Sequence, residues 1–197
     1  KIALKDLEVR GAGNLLGRKQ SGDIMSVGFD MYLRLLDEAV RELETDKEDA
    51  PPEVYLELEY TGYIPESYID EPEEKMEVYK KIASISADGE LESVTAELMD
   101  RFGPLPDEVS SLLCLAEIRI MCRRLYISSL KERRGVLEVE FAKVARISVN
   151  RILSLIRDGR GTVRLDPKRP QVLIMDTTAV GLKEKSEFIR DRLSVLL

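Results

Sequence analysis

Apolar positions along this 197-residue chain switch between a helical and a strand period, and the switches divide it into elements. Phe29, Tyr32, Leu36, Ala39, Val40 and Leu43 recur at helical spacing and predict an amphipathic helix over 24–43. The stretch 44–52, ETDKEDAPP, loses any period and carries two prolines, which marks a linker between a segment 1–45 and a compact domain 46–197. That domain opens with the alternation of a half-buried strand over 53–60, where Val54, Leu56, Leu58 and Tyr60 interleave with Tyr55, Glu57 and Glu59. A helix follows from Pro72 to about residue 85, with Met76, Tyr79, Ile82 and Ala83 as its buried face. Asp88 is the expected N-cap of a second helix carrying Leu91, Val94, Leu98 and Phe102, which Gly103-Pro104 ends. Residues 106–125 are apolar over more than one face, as a central helix packed on several sides would be.

The remaining pattern predicts a hairpin, 127–131 with 136–141 around Arg133, Arg134 and Gly135, and then a helix capped by Ser148. That helix carries Val149, Ile152, Leu153 and Ile156 and ends at Gly159. Two strands, 162–165 and 172–175, are joined by Asp166, Pro167, Lys168 and Arg169, and a last helix presents Leu182, Ile189, Leu193 and Leu196. Hairpins rather than helix-linked parallel strands place the chain in the α+β class: a glycine loop and helix, then short antiparallel strands packed with about five helices. No period of the length that marks a solenoid is present.

Composition narrows the chemistry. The chain is 44% hydrophobic and 34% charged, enough for a core under a well-solvated surface. No apolar run approaches the roughly 20 residues that span a bilayer, so no membrane partner is expected and the expected compartment is the cytoplasm. Lys1 opens in mid-element, as in a piece of a larger protein. Cys114 and Cys122 lie on one predicted helix, roughly 12 Å apart, too far for a disulfide. With no histidine and no paired cysteines, common zinc sites and histidine acid–base chemistry are excluded; catalytic and metal-ligating residues are both read as none. Glu73 and Glu77 share a helix face, but nothing accompanies them that would make a catalytic pair.

Charge is segregated. Positions 42–77 hold fourteen acids and two lysines, and positions 119–134 hold six bases and one acid. Such runs are commonly solvated surface. Read functionally, the acidic run (Glu57, Glu59, Glu66, Asp70, Glu73, Glu74) is a docking face for a protein partner. The basic run (Arg123, Arg124, Arg133, Arg134) either pairs with it internally or touches nucleic acid.

The stretch 6–22, DLEVRGAGNLLGRKQSG, belongs to a locally basic region, with five positive and two negative charges over 1–22. Gly11, Gly13 and Gly17 fit either a helix ending at Arg10 under a Gly11 cap or a shaped loop that presents Arg10 and Gln20. A dinucleotide fingerprint fails because position 16 is Leu, and no phosphate-binding loop occurs, so this chain alone is not expected to bind ATP.

This stretch resembles the TRG motif that follows the ATPase motifs of the transcription-repair coupling factors and of the RecG branch-migration helicases. Residues 75–109 resemble the C-terminal domain peculiar to the coupling factors, and the likeness extends more loosely to the end of the chain. The resemblance implies a parent that is a superfamily 2 helicase-like ATPase and double-stranded DNA translocase using ATP and magnesium. Such a parent displaces stalled RNA polymerase and recruits UvrA for transcription-coupled nucleotide-excision repair. It assigns coupling of the motor to DNA movement to Arg10 and Gln20, with Gly11, Gly13 and Gly17 shaping the loop. The C-terminal domain is implied to mask the UvrA-binding module of the same protein. The ATPase motifs are absent from this chain, so it is expected to be no enzyme by itself and to hold no cofactor. The alternative is a direct duplex-DNA-binding module using the 119–134 cluster.

Overall fold

A computed structural model describes residues 51–143 and 148–197. The glycine loop with Arg10 and Gln20, the helix predicted over 24–43 and the proposed boundary near residue 45 lie outside the described residues. The elements are β1 (Tyr55–Glu57), α1 (Pro72–Ser84), α2 (Asp88–Phe102), α3 (Asp107–Arg124), β2 (Ile127–Arg133) and β3 (Val136–Phe141). They continue with α4 (Val149–Asp158), β4 (Val163–Leu165), β5 (Val172–Asp176) and α5 (Lys185–Ser194), the last preceded by a 3-10 turn, Leu182–Glu184.

Two hydrophobic cores meet at α3. Val109, Leu113, Ala116 and Ile120 join Ile64, Ile69 and the buried faces of α1 and α2 in a helical core. Cys114, Leu115, Ile118 and Cys122 join the inner face of the sheet together with α4 and α5. At 3.6 residues per turn the two sets centre about 180° apart, so the helix is apolar on opposite sides for opposite neighbours. Val109, Ala116, Ile118 and Cys122 are fully buried.

The sheet has the order β1-β2-β3-β5-β4. β2 to β5 pair antiparallel, whereas β1 runs parallel to β2. The expected short antiparallel strands are β2 to β5, and β1 adds one parallel pairing that makes the sheet mixed: three helices separate β1 from β2, and a crossover of that length permits it. Leu130, Val139 and Leu173 lie opposite one another on the inner face, as do Leu137 and Met175. Arg134 and Gly135 both take positive φ (53° and 74°), as the two-residue turn that matches strand twist requires.

Several local expectations shift. The strand expected over 53–60 is regular only at Tyr55–Glu57. The buried face of α1 is Val78 and Ile82, continued by Ile85; Met76, two positions before Val78, points about 200° away and is exposed, as is Ala83. Ala87 is the N-cap of α2 and Asp88 its first residue, because Glu90 folds back to accept the Ser86 N–H at 2.7 Å. That bond holds the Glu90 carboxyl below its ordinary range. In α4 the buried residues are Ile152 and Leu155, with Leu153 turned to solvent. Leu182 is exposed in the 3-10 turn, and the last helix begins only at Lys185. Gly62 supplies one close approach: at φ +73° it lies against the first turn of α3, where a Cβ would stand 2.3 Å from the Glu108 carbonyl oxygen.

Because both cores share α3, truncating Ile118 should loosen the whole domain. Ile118→Ala is expected to lose about 2–5 kcal/mol, and urea unfolding followed by far-UV dichroism and by tyrosine fluorescence should shift together. A helical half that keeps the wild-type midpoint would show two separable units.

Candidate functional site

The densest polar arrangement lies at one end of the sheet, where β1 exits, β2 turns into β3, β5 exits and α5 begins. Glu132 belongs to β2 but sits opposite Leu137 on the core-facing side, and only 3% of it is exposed. A buried carboxylate needs its acceptors filled. Thr177 Oγ1 donates to Glu132 Oε1 at 2.6 Å, Lys185 Nζ approaches the same oxygen at 2.8 Å, and the Glu59 N–H donates to Oε2 at 3.2 Å. Lys185 is itself 5% exposed and donates also to Glu59, whose other oxygen accepts the Gly135 N–H at 3.2 Å.

Lys185 is the first residue of α5, where the helix dipole disfavours a cation. Burial lowers its pKa as well, but hydrogen bonds and charge from Glu132 and Glu59 outweigh that and leave the ammonium above its ordinary value. The bond from Lys185, then that from Gly135, hold the Glu59 carboxyl below its ordinary range. A Cβ on Gly135 would meet Thr178 Cγ2 at 2.4 Å, so this corner also excludes larger residues. The arrangement has the chemistry of a fastener: one ammonium is shared by two carboxylates, whose other contacts are neutral N–H and O–H donors. Among the described residues no group of three acids or cysteines is placed to hold a metal ion. Burial raises the thiols of Cys114 and Cys122 to about 11 and about 12, which leaves them protonated and unreactive at neutral pH.

Several of the predicted partner residues are engaged inside the domain. Glu57 is bonded by Arg133 at 2.9 Å, Glu74 by Arg101, and Glu59 by Lys185. Arg124 pairs with Asp88, and Arg119 donates to the Ala83 carbonyl at 2.7 Å. Much of the basic run is thus consumed inside the domain; Lys131 stands over the Tyr55 ring at 5.7 Å, and Arg123 and Arg134 are left without a side-chain hydrogen bond, ion pair or ring contact among the described residues. Glu66, Asp70 and Glu73 are exposed on the helical half, likewise without such bonds. Arg10, Gln20, Gly11, Gly13 and Gly17 lie outside the described residues. Sequence reasoning missed Glu132 and Lys185; the one available signal was a carboxylate at an inward position of a strand that otherwise alternates.

A solved structure described as the C-terminal domain of transcription-repair coupling factor shares this fold, with a TM-score of 0.65 at 22% identity over 76% of this chain and 95% of that one. Residues 58–152 match the family model of the TRCF domain. The chain is 35% identical to the transcription-repair-coupling factor of Borreliella burgdorferi over 196 residues, covering 100% of the chain and 17% of that protein. It is 41% identical to that of Staphylococcus haemolyticus over 152 residues, covering 76% and 13%. Against that of Escherichia coli it is 34% identical over 196 residues, covering 96% and 17%. The α+β unit is therefore a TRCF domain. The chain belongs to the transcription-repair-coupling factor family and spans between 13% and 17% of the length of these relatives.

Removing one member of the buried pair should cost more than removing both. Lys185→Met is expected to destabilise by about 3–5 kcal/mol, and adding Glu132→Leu should restore most of the loss in urea titrations. A double variant no better than the single would mean that the cluster does not act as a pair. The pH dependence follows from the same groups. The depressed Glu59 contributes stability that is full above its ordinary 4.5 and lost as pH falls through its folded value. The raised Lys185 contributes stability that is full below its ordinary 10.5 and lost as pH climbs through its folded value. Thermal melts should show a plateau between these limits, and in Lys185→Met a lower plateau without the alkaline fall and with a weaker acid one.

Proposed function

We propose that this chain is the C-terminal regulatory part of an ATP-dependent double-stranded DNA translocase, one that displaces stalled RNA polymerase and recruits UvrA in transcription-coupled nucleotide-excision repair in the cytoplasm. Its TRCF domain acts by docking on the UvrA-binding module of the same protein and keeping it covered until the motor engages. Family membership supports the parent's identity, and one structural observation supports the docking role. Residues 51–118 hold seventeen acids against four bases, and Glu66, Asp70 and Glu73 are exposed there without an internal partner. Exposed, unmatched carboxylates favour a cationic protein surface and repel a phosphate backbone. A contact worth a few kcal/mol keeps a site closed for most molecules, and a motor stroke that separates the surfaces opens it.

In the parent, Arg10 and Gln20 carry motor motion to DNA, with Gly11, Gly13 and Gly17 shaping their loop, while ATP and magnesium are held by the motor domains. The domain itself performs no chemistry.

Titration of the isolated UvrA-binding module with this chain should show association that weakens with salt, and the Glu66→Lys/Asp70→Lys/Glu73→Lys triple variant should lose at least tenfold in affinity. Calorimetry with no heat at high micromolar concentration would overturn the docking role. For the loop, Arg10→Ala or Gln20→Ala in the full-length protein is expected to leave ATP hydrolysis largely intact while abolishing displacement of a triplex strand; normal displacement by both variants removes them from the mechanism.

A further inference from the structure

The charge of the domain changes sign along the sequence, within α3. Against the acidic 51–118, residues 119–197 hold eighteen bases and nine acids. Several of those bases are spent on internal bonds, so the position of the unspent ones matters. Arg160, Arg164 and Lys168 are all exposed and follow one line: the turn after α4, the edge strand β4 and the turn before β5. Arg160 holds positive φ (46°), a conformation that costs an L-residue energy and here turns the chain at the corner of the sheet. Arg164 is registered with Ile174 on the outer face of the sheet. Lys168 lies four positions after Arg164, in the turn that Asp166 closes by accepting the Lys168 N–H.

The acids of this band are already engaged. Asp166 accepts from Arg169 Nε at 2.8 Å and from the Lys168 N–H at 2.9 Å. Asp176 accepts from the Thr178 N–H and hydroxyl, and Asp158 lies beside Arg157 at 3.5 Å. Among the described residues no ion pair within 4 Å engages Arg160, Arg164 or Lys168, although the charge of Arg164 acts at longer range on Asp176.

We propose that this edge, from the end of α4 through β4 to the β4–β5 turn, contacts the phosphate backbone of duplex DNA without reading its sequence. A line of cations on an edge matches a line of phosphates. No aromatic residue occurs between Phe141 and Phe188, so the band lacks the stacking platforms that single-strand binding uses. Residues 61–118, with α1, α2 and most of α3, hold fourteen acids against four bases and repel a duplex, which favours this edge as the side that faces it. The inference stands apart from the docking role, which uses the opposite charge on the other half.

The test is fluorescence anisotropy of a labelled 25-base-pair duplex with the whole chain at 50 mM salt and above. Arg160→Gln/Arg164→Gln/Lys168→Gln is expected to weaken binding at least tenfold and to lower the slope of log affinity against log salt by about 2–3. Arg123→Gln/Arg134→Gln, which removes the free cations of the 119–134 run, should stay within threefold of wild type. Absence of binding at 50 mM salt, a loss confined to the second variant, or competition by polyglutamate equal to that by duplex would each overturn the proposal. Dichroism of each variant checks that the fold is retained. Unchanged association of the triple variant with the UvrA-binding module would keep the two surfaces distinct.

Discussion

Everything in this domain depends on α3 being wanted on both sides. A helix in a small domain ordinarily buries one stripe and solvates the other. Here Val109, Leu113, Ala116 and Ile120 face one core while Cys114, Leu115, Ile118 and Cys122 face the other. Neither core would be closed without this wall, since α1 and α2 have no sheet to lie on and the inner face of the sheet needs α3 beside α4 and α5. The constraint also explains the two cysteines. They fill small apolar positions on the sheet side, where burial suppresses their acidity and their chemistry.

The ion cluster at the sheet end supplies direction where apolar packing supplies mass. Hydrophobic contact alone is tolerant of sliding, whereas Glu132 accepts from three separate segments at once. β1 is regular for only three residues, and its neighbours Val54 and Leu58 are only partly buried. It is held in register at its far end by Glu57 to Arg133 and Glu59 to Lys185 and Gly135. Those bonds make an edge strand a fixed part of the sheet.

Elements with strong periodicity were legible before any coordinates. The central helix, the tight hairpin at Arg134-Gly135 and the α+β class follow from spacing and turn chemistry. Which residues of a helix face inward was less legible: Met76 and Leu153 are as apolar as Val78 and Leu155, and only the positions of α2, α3 and the sheet decide between them. The parallel pairing of β1 was hidden for the same reason, since pairing direction is a property of the crossover and leaves no mark on the strand. The candidate site divided along similar lines. Charge runs show in the sequence, but whether an arginine is free or spent depends on its partner in space. Arg124 and Arg133 are spent on Asp88 and Glu57, whereas Arg160, Arg164 and Lys168, interleaved with acids in the sequence, make no ion pair among the described residues.

The shared wall constrains how such a domain could meet a partner. With both cores closed on one helix, the domain is one packed body, and partners on different surfaces would be held at a fixed relative orientation. Under the proposed docking role, a domain of this build would cover a site by position rather than by changing shape, and release would require the body to be moved. The chain enters that body at β1, four residues after Pro51. The bonds of Glu57 and Glu59 then connect the entry point to the hairpin and to the start of α5. A pull arriving through β1 would therefore act on strand pairing and on a buried ion cluster together. Shear across paired strands resists more than the peeling of a loose terminus, because several bonds share the load. The fastener at the sheet end thus ties the entry strand, the hairpin and the start of α5 into one unit, which is what the proposed docking role would need if the domain were displaced from its N-terminal side.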